Sequence, residues 1–312
     1  MISFGPIPSR RLGKSLGINN ISARKVCSFS CRYCQLGVTK KFSVARRSFY
    51  EPDVIFAEIH EHLEKLKDED KPDFLTFVAN GEPTLDINLG ESIEKLKQFN
   101  IPIAVITNAS LLRNPNVRND LNLADWVSVK VDANTKSTWD AINWPSNLLN
   151  FESHVIGILE FSGSFKGKLV TETMLVKGVN DGLADLIQTA DLIGQINPSV
   201  AYISIPTRPP AIHTVLPADA DSINEAYQIF SEKGINTELI LGFEGTNTGY
   251  TGNAIEDIVN ICTVHPIRED TLMEIMRKDC ADQTILDTLI KGKYIKQVKY
   301  KSDNYYIRQF HD

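Results

Sequence analysis

Three of the five cysteines lie in the segment VCSFSCRYCQLG, where Cys27, Cys31 and Cys34 have the spacing C-x3-C-x2-C. A structural zinc site usually takes its cysteines in two pairs, and the sequence offers no second pair. Three thiolates from one loop can instead ligate three irons of a cubane [4Fe–4S] cluster. The fourth iron then has no protein ligand and can coordinate a small molecule. The spacing therefore predicts an iron–sulfur centre with one open position.

The other two cysteines, Cys262 and Cys280, are isolated in helical, apolar contexts, so we expect both to be buried. An odd cysteine count is typical of a chain without a disulfide framework. The sequence contains no apolar run of about 18 residues, the length that suggests a membrane span. The start of the chain does not resemble a signal peptide. We therefore expect a cytoplasmic protein with no membrane partner.

The elements that must position the cysteines alternate along the chain as strand, then helix. Six predicted strands and the helical patterns among them support a parallel sheet, because such alternation is typical of βα units. The α/β class is therefore predicted, as a partial (β/α)6 TIM-like barrel whose functional groups gather at the carboxyl ends of the strands. The predicted strands are 15–22, 73–79, 101–110, 125–134, 168–181 and 199–210, and the helices are 53–67, 89–99 and 183–196.

Polar residues follow or end several of these strands. Gly81 allows a close backbone approach to a ligand, and Glu82 or the backbone beside it can receive a cationic amino group. Side chains two apart share one face of a strand, so Lys130 and Asp132 either face a ligand together or form an ion pair between strands. The full set of strand-end candidates is Asn80, Gly81, Glu82, Pro83, Thr107, Asn108, Lys130, Asp132, Glu172, Thr173 and Ser204.

Two of these motifs together resemble the radical SAM superfamily. CSFSCRYC, with Tyr33 just before the last cysteine, is similar to that family's signature. GEPT, 47 residues beyond Cys34, is similar to its Gly-Gly-Glu-Pro segment, with Asn80 in place of the first glycine. The flanking order PSRRLGKSLG, TMLVKGVND and PTRPPA resembles the wyosine-synthase-like Fe–S oxidoreductase branch. The wyosine reaction needs a second cluster on three further cysteines, which this sequence lacks.

The resemblance implies a [4Fe–4S] cluster held by the three clustered cysteines, with S-adenosylmethionine chelating the open iron. An external one-electron donor, such as flavodoxin or ferredoxin, then drives reductive cleavage to a 5′-deoxyadenosyl radical, which abstracts hydrogen from a substrate. The resemblance implies catalytic roles for Lys130 and Asp132. It also implies cofactor contacts for Tyr33, Asn80, Gly81, Glu82, Pro83, Thr107, Asn108, Lys130, Glu172 and Ser204.

Charge is unevenly distributed. The chain has net charge −6, but residues 1–50 contain ten Lys or Arg and no Asp or Glu. Arg10, Arg11 and Lys14 therefore either bind phosphates near the barrel mouth or pair with the acidic remainder of the chain. On the helix predicted at 53–67, His60 and His62 are two apart, so we expect them to be exposed rather than a metal pair.

The tail has a different pattern, and it gives a division into a partial barrel with a basic head (1–241), a Gly-rich linker (242–253) and a small domain (254–312). Three short helices and a hairpin predict a winged-helix-like domain. Basic residues and tyrosines are interleaved in 291–308, which suits nucleic acid, and with the basic head this favours an RNA base as substrate. A protein-docking role for the tail, and a peptide, protein side chain or small metabolite as substrate, stay open. Two alternatives stay open: a non-catalytic Fe–S sensor that binds nucleic acid through this tail, and a zinc-stabilised binding module.

Overall fold

A computed structural model of the chain describes residues 2–21, 24–242 and 245–309. The strands within those residues are β1 (Ser3–Ser9), β2 (Gly13–Ile18), β3 (Val26–Cys27), β4 (Lys41–Phe42), β5 (Phe74–Phe77), β6 (Ile103–Thr107), β7 (Trp126–Lys130), β8 (Lys168–Met174), β9 (Val200–Ser204), β10 (Thr237–Ile240), β11 (Ile267–Arg268), β12 (Ile295–Tyr300) and β13 (Asp303–Arg308). The α-helices are α1 (Pro52–Lys65), α2 (Leu89–Leu96), α3 (Pro115–Leu121), α4 (Lys136–Asn143), α5 (Phe151–Ser164), α6 (Leu183–Ile196), α7 (Ala220–Glu232), α8 (Ala254–Val264), α9 (Glu269–Lys278) and α10 (Gln283–Lys291).

One large sheet organises the first two thirds of the chain. Its strand order is β1-β2-β5-β6-β7-β8-β9-β10, and it curls into a half-barrel. From β2 to β10 neighbouring strands are parallel, whereas β1 runs antiparallel to β2. Helices connect the parallel strands, as βα units require. The predicted α/β half-barrel is therefore confirmed.

The two faces of this sheet differ in what they bury. Along β6, Val105 packs into the large core between sheet and helices, while Ala104 packs into a smaller core on the inner face. This alternation follows from the two-residue period of a strand. The same period puts Lys130 of β7, Glu172 of β8 and Ser204 of β9 on the inner face, above that apolar core. Predicted polar residues thus meet inside the half-barrel.

The sheet has more strands than the six predicted. Both additional strands, β1 and β10, lie at its edges. β1 contains Pro6 and Pro8 and has an irregular register between Phe4 and Ile7, and proline is tolerated in an edge strand because one side of that strand needs no partner. β10 has the short sequence TELI, with two exposed residues. Neither segment has the apolar run that marks a central strand.

Two expectations about individual side chains are wrong. His62 is buried, because α1 turns this residue towards β1, where its Nδ1 lies 2.8 Å from the Ser3 hydroxyl. Cys280 is exposed, because it follows the end of α9 in a left-handed conformation, with φ 51°. His60 is exposed and Cys262 is buried, as expected. Sequence periodicity placed these side chains on a helix without showing which neighbour would cover them.

The tail consists of α8, α9 and α10 with a three-stranded sheet of order β11-β13-β12. Its core includes Ile258, Leu272 and Tyr306, and it also takes in Phe4 from β1. The Gly249 N–H in the segment before α8 donates to the Pro6 carbonyl at 2.6 Å. The tail is therefore packed against the edge of the half-barrel. Among the described residues, no helix is both long enough and apolar enough to cross a membrane.

Candidate active site

The cysteine segment and the GEPT segment form one hydrogen-bonded unit. The Val26 N–H donates to the Asn80 carbonyl at 3.2 Å, and the Glu82 N–H donates to the Val26 carbonyl at 3.1 Å. Gly81 between them has φ 138°, and a Cβ there would lie 1.7 Å from the Val26 oxygen. Only glycine fits such a position. The strand that leads into Cys27 is thus fixed to the carboxyl end of β5.

Each of the three cysteine sulfurs has a nitrogen donor from a different part of the chain. Asn108 Nδ2 lies 3.5 Å from Cys27 Sγ, and Asn143 Nδ2 lies 3.4 Å from Cys31 Sγ. Lys25 Nζ lies 3.1 Å from Cys34 Sγ. Such donors stabilise thiolate charge. These donors would stabilise the three thiolates once the thiols have lost their protons.

Among the residues that the structure describes, no three His, Cys, Asp or Glu side chains are close enough to hold one metal ion. A [4Fe–4S] cluster has a different requirement, because each thiolate ligates a different iron. Three cysteine sulfurs on one loop match the number of protein ligands that a cubane with one open iron takes.

Burial and the neighbouring groups shift the pKa values of Cys27, Cys31 and Lys25. Burial, reinforced by the Glu82 carboxylate, raises the pKa of Cys27 to about 12. Burial and the neighbouring Cys34 raise the pKa of Cys31 to about 12 as well. For Lys25, burial favours the neutral amine, but interaction with the cysteine side chains, led by Cys34, outweighs burial and raises the pKa. Iron binding must therefore release protons from the buried thiols.

Glu82 is buried, and its carboxylate holds the ends of two strands together. Oε1 accepts from the Thr84 hydroxyl at 2.7 Å and the Thr107 hydroxyl at 2.6 Å, and Oε2 accepts from the Asn108 N–H at 2.8 Å. Burial raises the pKa of Glu82, while these hydrogen bonds oppose that rise. The carboxylate is already committed to the protein, so of the two groups predicted to receive a ligand's amino group, the backbone beside it is the better placed.

A second polar cluster lies on the inner face of the half-barrel. Lys130 Nζ is 3.3 Å from Glu172 Oε1 and 3.6 Å from Asp132 Oδ1. Arg11 forms an ion pair with the other Glu172 oxygen, and the Ser204 hydroxyl donates to Glu172 at 2.9 Å. Lys130 therefore makes the inter-strand ion pair that the sequence left open, and Arg11 pairs with an acidic residue of the barrel.

Lys130, Arg11 and Glu172 each favour the ionised form of their partner. Burial alone would raise the pKa of Glu172, but the Lys130 and Arg11 cations outweigh burial and hold that pKa far below its usual range. Burial likewise opposes the charge on Lys130, yet Asp132 and Glu172 raise its pKa. Both groups remain ionised at neutral pH. A buried cation that keeps its proton can orient an anionic or polar group but is a poor general base.

Asp132 joins this cluster to the cysteine loop. Its carboxylate accepts from the Tyr33 hydroxyl, from Asn143 Nδ2 at 2.8 Å and from the Met174 N–H at 2.8 Å. The same Asn143 amide contacts Cys31 Sγ. A continuous polar chain therefore runs from the cysteine loop through Asp132 to the inner face of the sheet.

A cavity of about 180 Å³ lies next to the Glu172 cluster. Strand residues Thr76, Glu172 and Ser204 line it, together with Arg11 from the β1–β2 turn. His265 of the tail also lines it, so the tail takes part in closing the half-barrel. Catalytic cavities of βα barrels are found at this end, where the strand termini converge.

A sequence profile of the radical SAM superfamily matches residues 21–193, which contain the cysteine loop, the GEPT segment and the Lys130–Glu172 pair. The chain belongs to the radical SAM superfamily. It is a radical SAM enzyme, and its cofactors are a [4Fe–4S] cluster and S-adenosylmethionine.

Relatives and solved structures agree with this assignment. The radical SAM chain is 42% identical over 310 residues to a UPF0026 protein of Methanocaldococcus jannaschii, covering 98% of this chain and 96% of that protein. Its fold resembles that of TYW1 with a lysine-pyruvate adduct bound, with TM-score 0.53, 16% identity and coverage of 71% and 75% of the two chains. A radical SAM methyltransferase from Sphaerobacter thermophilus gives TM-score 0.52 at 16% identity, over 73% of this chain and 66% of that one. At 16% identity, the likeness to these two structures supports the fold alone.

The sequence did not indicate every residue of this candidate site. Asn143 is the last residue of α4, and nothing in its local sequence separates it from other asparagines. Lys25 is two residues before Cys27, so proximity alone could have suggested it. Arg11 was predicted only as part of a basic head, because a partner 161 residues away cannot be identified from one sequence.

Proposed function

We propose that Cys27, Cys31 and Cys34 ligate the cluster and that Asn80, Gly81, Glu82 and Pro83 bound the site of the methionine moiety. The observation that carries this proposal is the hydrogen bonding of Val26 to Asn80 and Glu82, which joins the two motifs into one unit. The cysteine segment would hold the cluster, and the GEPT segment would hold the S-adenosylmethionine that the cluster binds. This shared task is a functional reason for the two segments to lie together.

When bound, the cluster and S-adenosylmethionine supply a 5′-deoxyadenosyl radical that takes a hydrogen atom from a substrate. The chain's own contribution is to orient the reactants and exclude water. Lys130 and Asp132 serve as fixed charges facing the reacting molecules, and the Tyr33 hydroxyl is held by Asp132 where it can support the adenine. Thr107 and Asn108 hold the Glu82 segment in place.

Glu172 and Ser204 are proposed to face the adenosine, as the resemblance implies. Both line the inner cavity and hydrogen-bond to each other at 2.9 Å. Because Arg11 and Lys130 already neutralise Glu172, this carboxylate offers a hydrogen-bond acceptor with little free negative charge. A neutral hydroxyl donor is the kind of group that such an acceptor suits.

For the tail we propose a winged-helix-like domain over 254–312, connected through 242–253 to a barrel over 1–241. Its element order is helix, strand, two helices and a hairpin, with β13 between β11 and β12. A cleft of about 160 Å³ lies between tail and barrel, and it is lined by Arg208, His265, Tyr300, Lys301 and Tyr305. Arg208 and His265 also line the inner cavity, so the two spaces adjoin.

Cations and aromatic rings in this cleft favour an RNA base as substrate. Lys301 Nζ lies 5.5 Å from the Tyr300 ring centroid, and the Tyr300 and Tyr305 rings are 6.3 Å apart. A base can stack on a partly exposed ring such as that of Tyr300, which the buried Tyr305 backs, and a phosphate can bind the exposed Lys301. Stacking and phosphate binding are the common basis of single-stranded RNA binding. We therefore propose RNA modification as the reaction class, with a flavodoxin or ferredoxin as the external electron donor.

The test is anaerobic reconstitution with iron and sulfide, followed by dithionite and S-adenosylmethionine, with 5′-deoxyadenosine measured by mass spectrometry. We expect about four irons per chain and slow release of 5′-deoxyadenosine. Cys31→Ala should lose the cluster and the product, whereas Cys280→Ala, at an exposed cysteine outside the loop, should retain both. Full iron and full turnover in Cys31→Ala would contradict the ligand assignment.

The alternatives give different results in the same experiment. A non-catalytic Fe–S sensor would hold the cluster without binding S-adenosylmethionine, which calorimetry detects. A zinc-stabilised binding module would retain zinc and take up no iron. Addition of tRNA tests the substrate class: the RNA proposal expects faster turnover and a mass change in the RNA.

A further inference from the structure

The cysteine loop is bordered by large apolar side chains that are exposed. Val38, Phe42, Trp144 and Leu148 have 49%, 44%, 38% and 74% of their surface exposed. Scattered exposed apolar residues are ordinary, but a group around one loop marks an interaction site. The question is whether these four side chains belong to one surface.

Backbone contacts connect the segments that carry them to the cysteine loop. Phe42 is paired with Cys27 across β3 and β4, and the Thr39 hydroxyl, next to Val38, donates to the Phe29 carbonyl at 2.7 Å. On the other side, the Ser30 N–H donates to the Trp144 carbonyl at 3.0 Å.

The segment that carries Leu148 is held in the same way, because the Ser146 N–H donates to the Ser28 carbonyl at 2.9 Å. Residues 38–42 and 144–148 therefore both lie against residues 27–30. We call these two segments, with their exposed side chains Val38, Phe42, Trp144 and Leu148, the loop face.

The part of the loop face that follows the cysteines is basic. Every charged residue between 24 and 47 is Lys or Arg. Lys40 and Lys41 are exposed beside Phe42, and the Arg32 guanidinium lies 5.0 Å from the centroid of the Trp144 ring. An apolar centre with a rim of cations is complementary to a partner with an apolar centre and an acidic rim.

We propose that the loop face docks a small, acidic one-electron carrier protein. The proposal rests on the proposed function, because that function consumes an electron that the chain must receive from outside. In each encounter the carrier is oxidised by one electron and the enzyme is reduced by one. Encounters of this kind have small interfaces and depend on charge steering, which a face of four apolar side chains with a basic rim can supply.

The test compares Lys40→Glu/Lys41→Glu with Lys166→Glu/Lys168→Glu in the reconstituted enzyme. Lys166 and Lys168 are exposed at the start of β8, which is the opposite end of the half-barrel from the cysteine loop. The probe is a purified acidic flavodoxin, and the first measurement is its binding by calorimetry at low and at physiological salt. We expect the loop-face double variant to bind about tenfold or more weakly, with less salt dependence, and the control to bind like wild type.

A second measurement separates docking from chemistry. With reduced flavodoxin as donor, release of 5′-deoxyadenosine should slow in Lys40→Glu/Lys41→Glu, whereas with dithionite it should equal the wild-type rate. Leu148→Ser should weaken flavodoxin binding without changing the dithionite rate, since it removes apolar contact and leaves the charges.

The two proposals fail in different ways. If wild-type enzyme neither releases 5′-deoxyadenosine with dithionite nor binds S-adenosylmethionine in calorimetry, the proposed function is wrong, and the flavodoxin-binding measurement still decides the docking proposal. Equal flavodoxin affinity in wild type and Lys40→Glu/Lys41→Glu overturns the docking proposal. If that variant instead loses tRNA binding or self-association while its flavodoxin affinity is unchanged, the loop face binds RNA or a second copy of the chain, and the docking proposal is likewise overturned.

Discussion

At the scale of single residues, Gly81 and Glu82 serve the same segment in different ways. Gly81 lets the backbone before Cys27 pass within contact distance, and Glu82 holds the ends of β5 and β6 through Thr107 and Asn108. The first role depends on the absence of a side chain and the second on a buried carboxylate. The motif is thus required by the geometry of the chain as well as by any ligand.

Gly81→Ala tests the first of these roles. The new Cβ would overlap the Val26 carbonyl, so the cysteine strand must move and the unfolding free energy should fall by more than about 1 kcal/mol. We expect reduced iron content after reconstitution, measured by iron analysis and visible absorption. Gly163→Ala is the matched control, since nothing lies within 4 Å of a Cβ at that position of α5. Equal iron content in the two variants would contradict the close-approach argument.

Glu172→Gln tests the polar cluster. The substitution leaves the Lys130 and Arg11 cations without their shared anion in a buried site, which should lower the unfolding free energy by about 3 kcal/mol. Chemical denaturation measures this loss, and Glu225→Gln, at an exposed position of α7, should show almost none. If both variants unfold at the same denaturant concentration, the cluster does not stabilise the fold as argued.

At the scale of elements, the sequence predicted the central strands well and the edges poorly. Strands β5 to β9 each lie inside a predicted segment, because their buried apolar runs are bounded by polar turns. β1 carries two prolines, and β10 is short and polar. Each forms a strand because it pairs with a neighbouring strand, and neither has the apolar sequence pattern that predicts a strand. Asn143 was missed for a similar reason, since its position depends on how α4 packs beside the cysteine loop.

α1 holds β1 through two side chains, and one of them should make stability depend on pH. The Glu58 carboxylate accepts from the Ile2 N–H at 2.8 Å and the Ser3 N–H at 3.0 Å. His62 contacts Ser3 and the Gly5 carbonyl, the latter at 3.0 Å. Burial lowers the pKa of His62 below its ordinary value of 6.5.

Because the folded state binds a proton at His62 less readily than the unfolded state, stability should fall as the pH falls below 6.5. Urea unfolding at pH 7.5 and pH 5.5 measures the loss, and His62→Gln should lose less between the two conditions than wild type. His60→Gln, on the exposed side of the same helix, should behave like wild type. An identical loss in His62→Gln and wild type would assign the pH dependence to other groups.

At the scale of the whole molecule, the barrel, the cysteine loop and the tail share contacts. Gln35, next to Cys34, donates to the Val264 carbonyl of the tail at 2.9 Å and accepts from Arg208 at 3.2 Å. The Tyr300 and Tyr305 hydroxyls donate to the carbonyls of Pro206 and Thr207. The separate tail pattern was readable from sequence, whereas these contacts join segments up to 229 residues apart and were not.

Phe4 tests whether the tail is held to the barrel, because it lies on β1 and its side chain packs in the core of the tail. Phe4→Ala leaves a cavity in the tail core and should lower stability by about 3 kcal/mol or more. Phe230→Ala removes an equally buried ring from the core between α7 and the sheet, which does not touch the tail core. Under limited proteolysis, Phe4→Ala should therefore be cut near residues 245–253 early, releasing the tail, while Phe230→Ala should be digested without that preference. If both variants give the same fragments at the same rates, the tail is not held to the barrel through β1. The cleft proposed for RNA would then depend only on the contacts that Gln35, Tyr300 and Tyr305 make between tail and barrel.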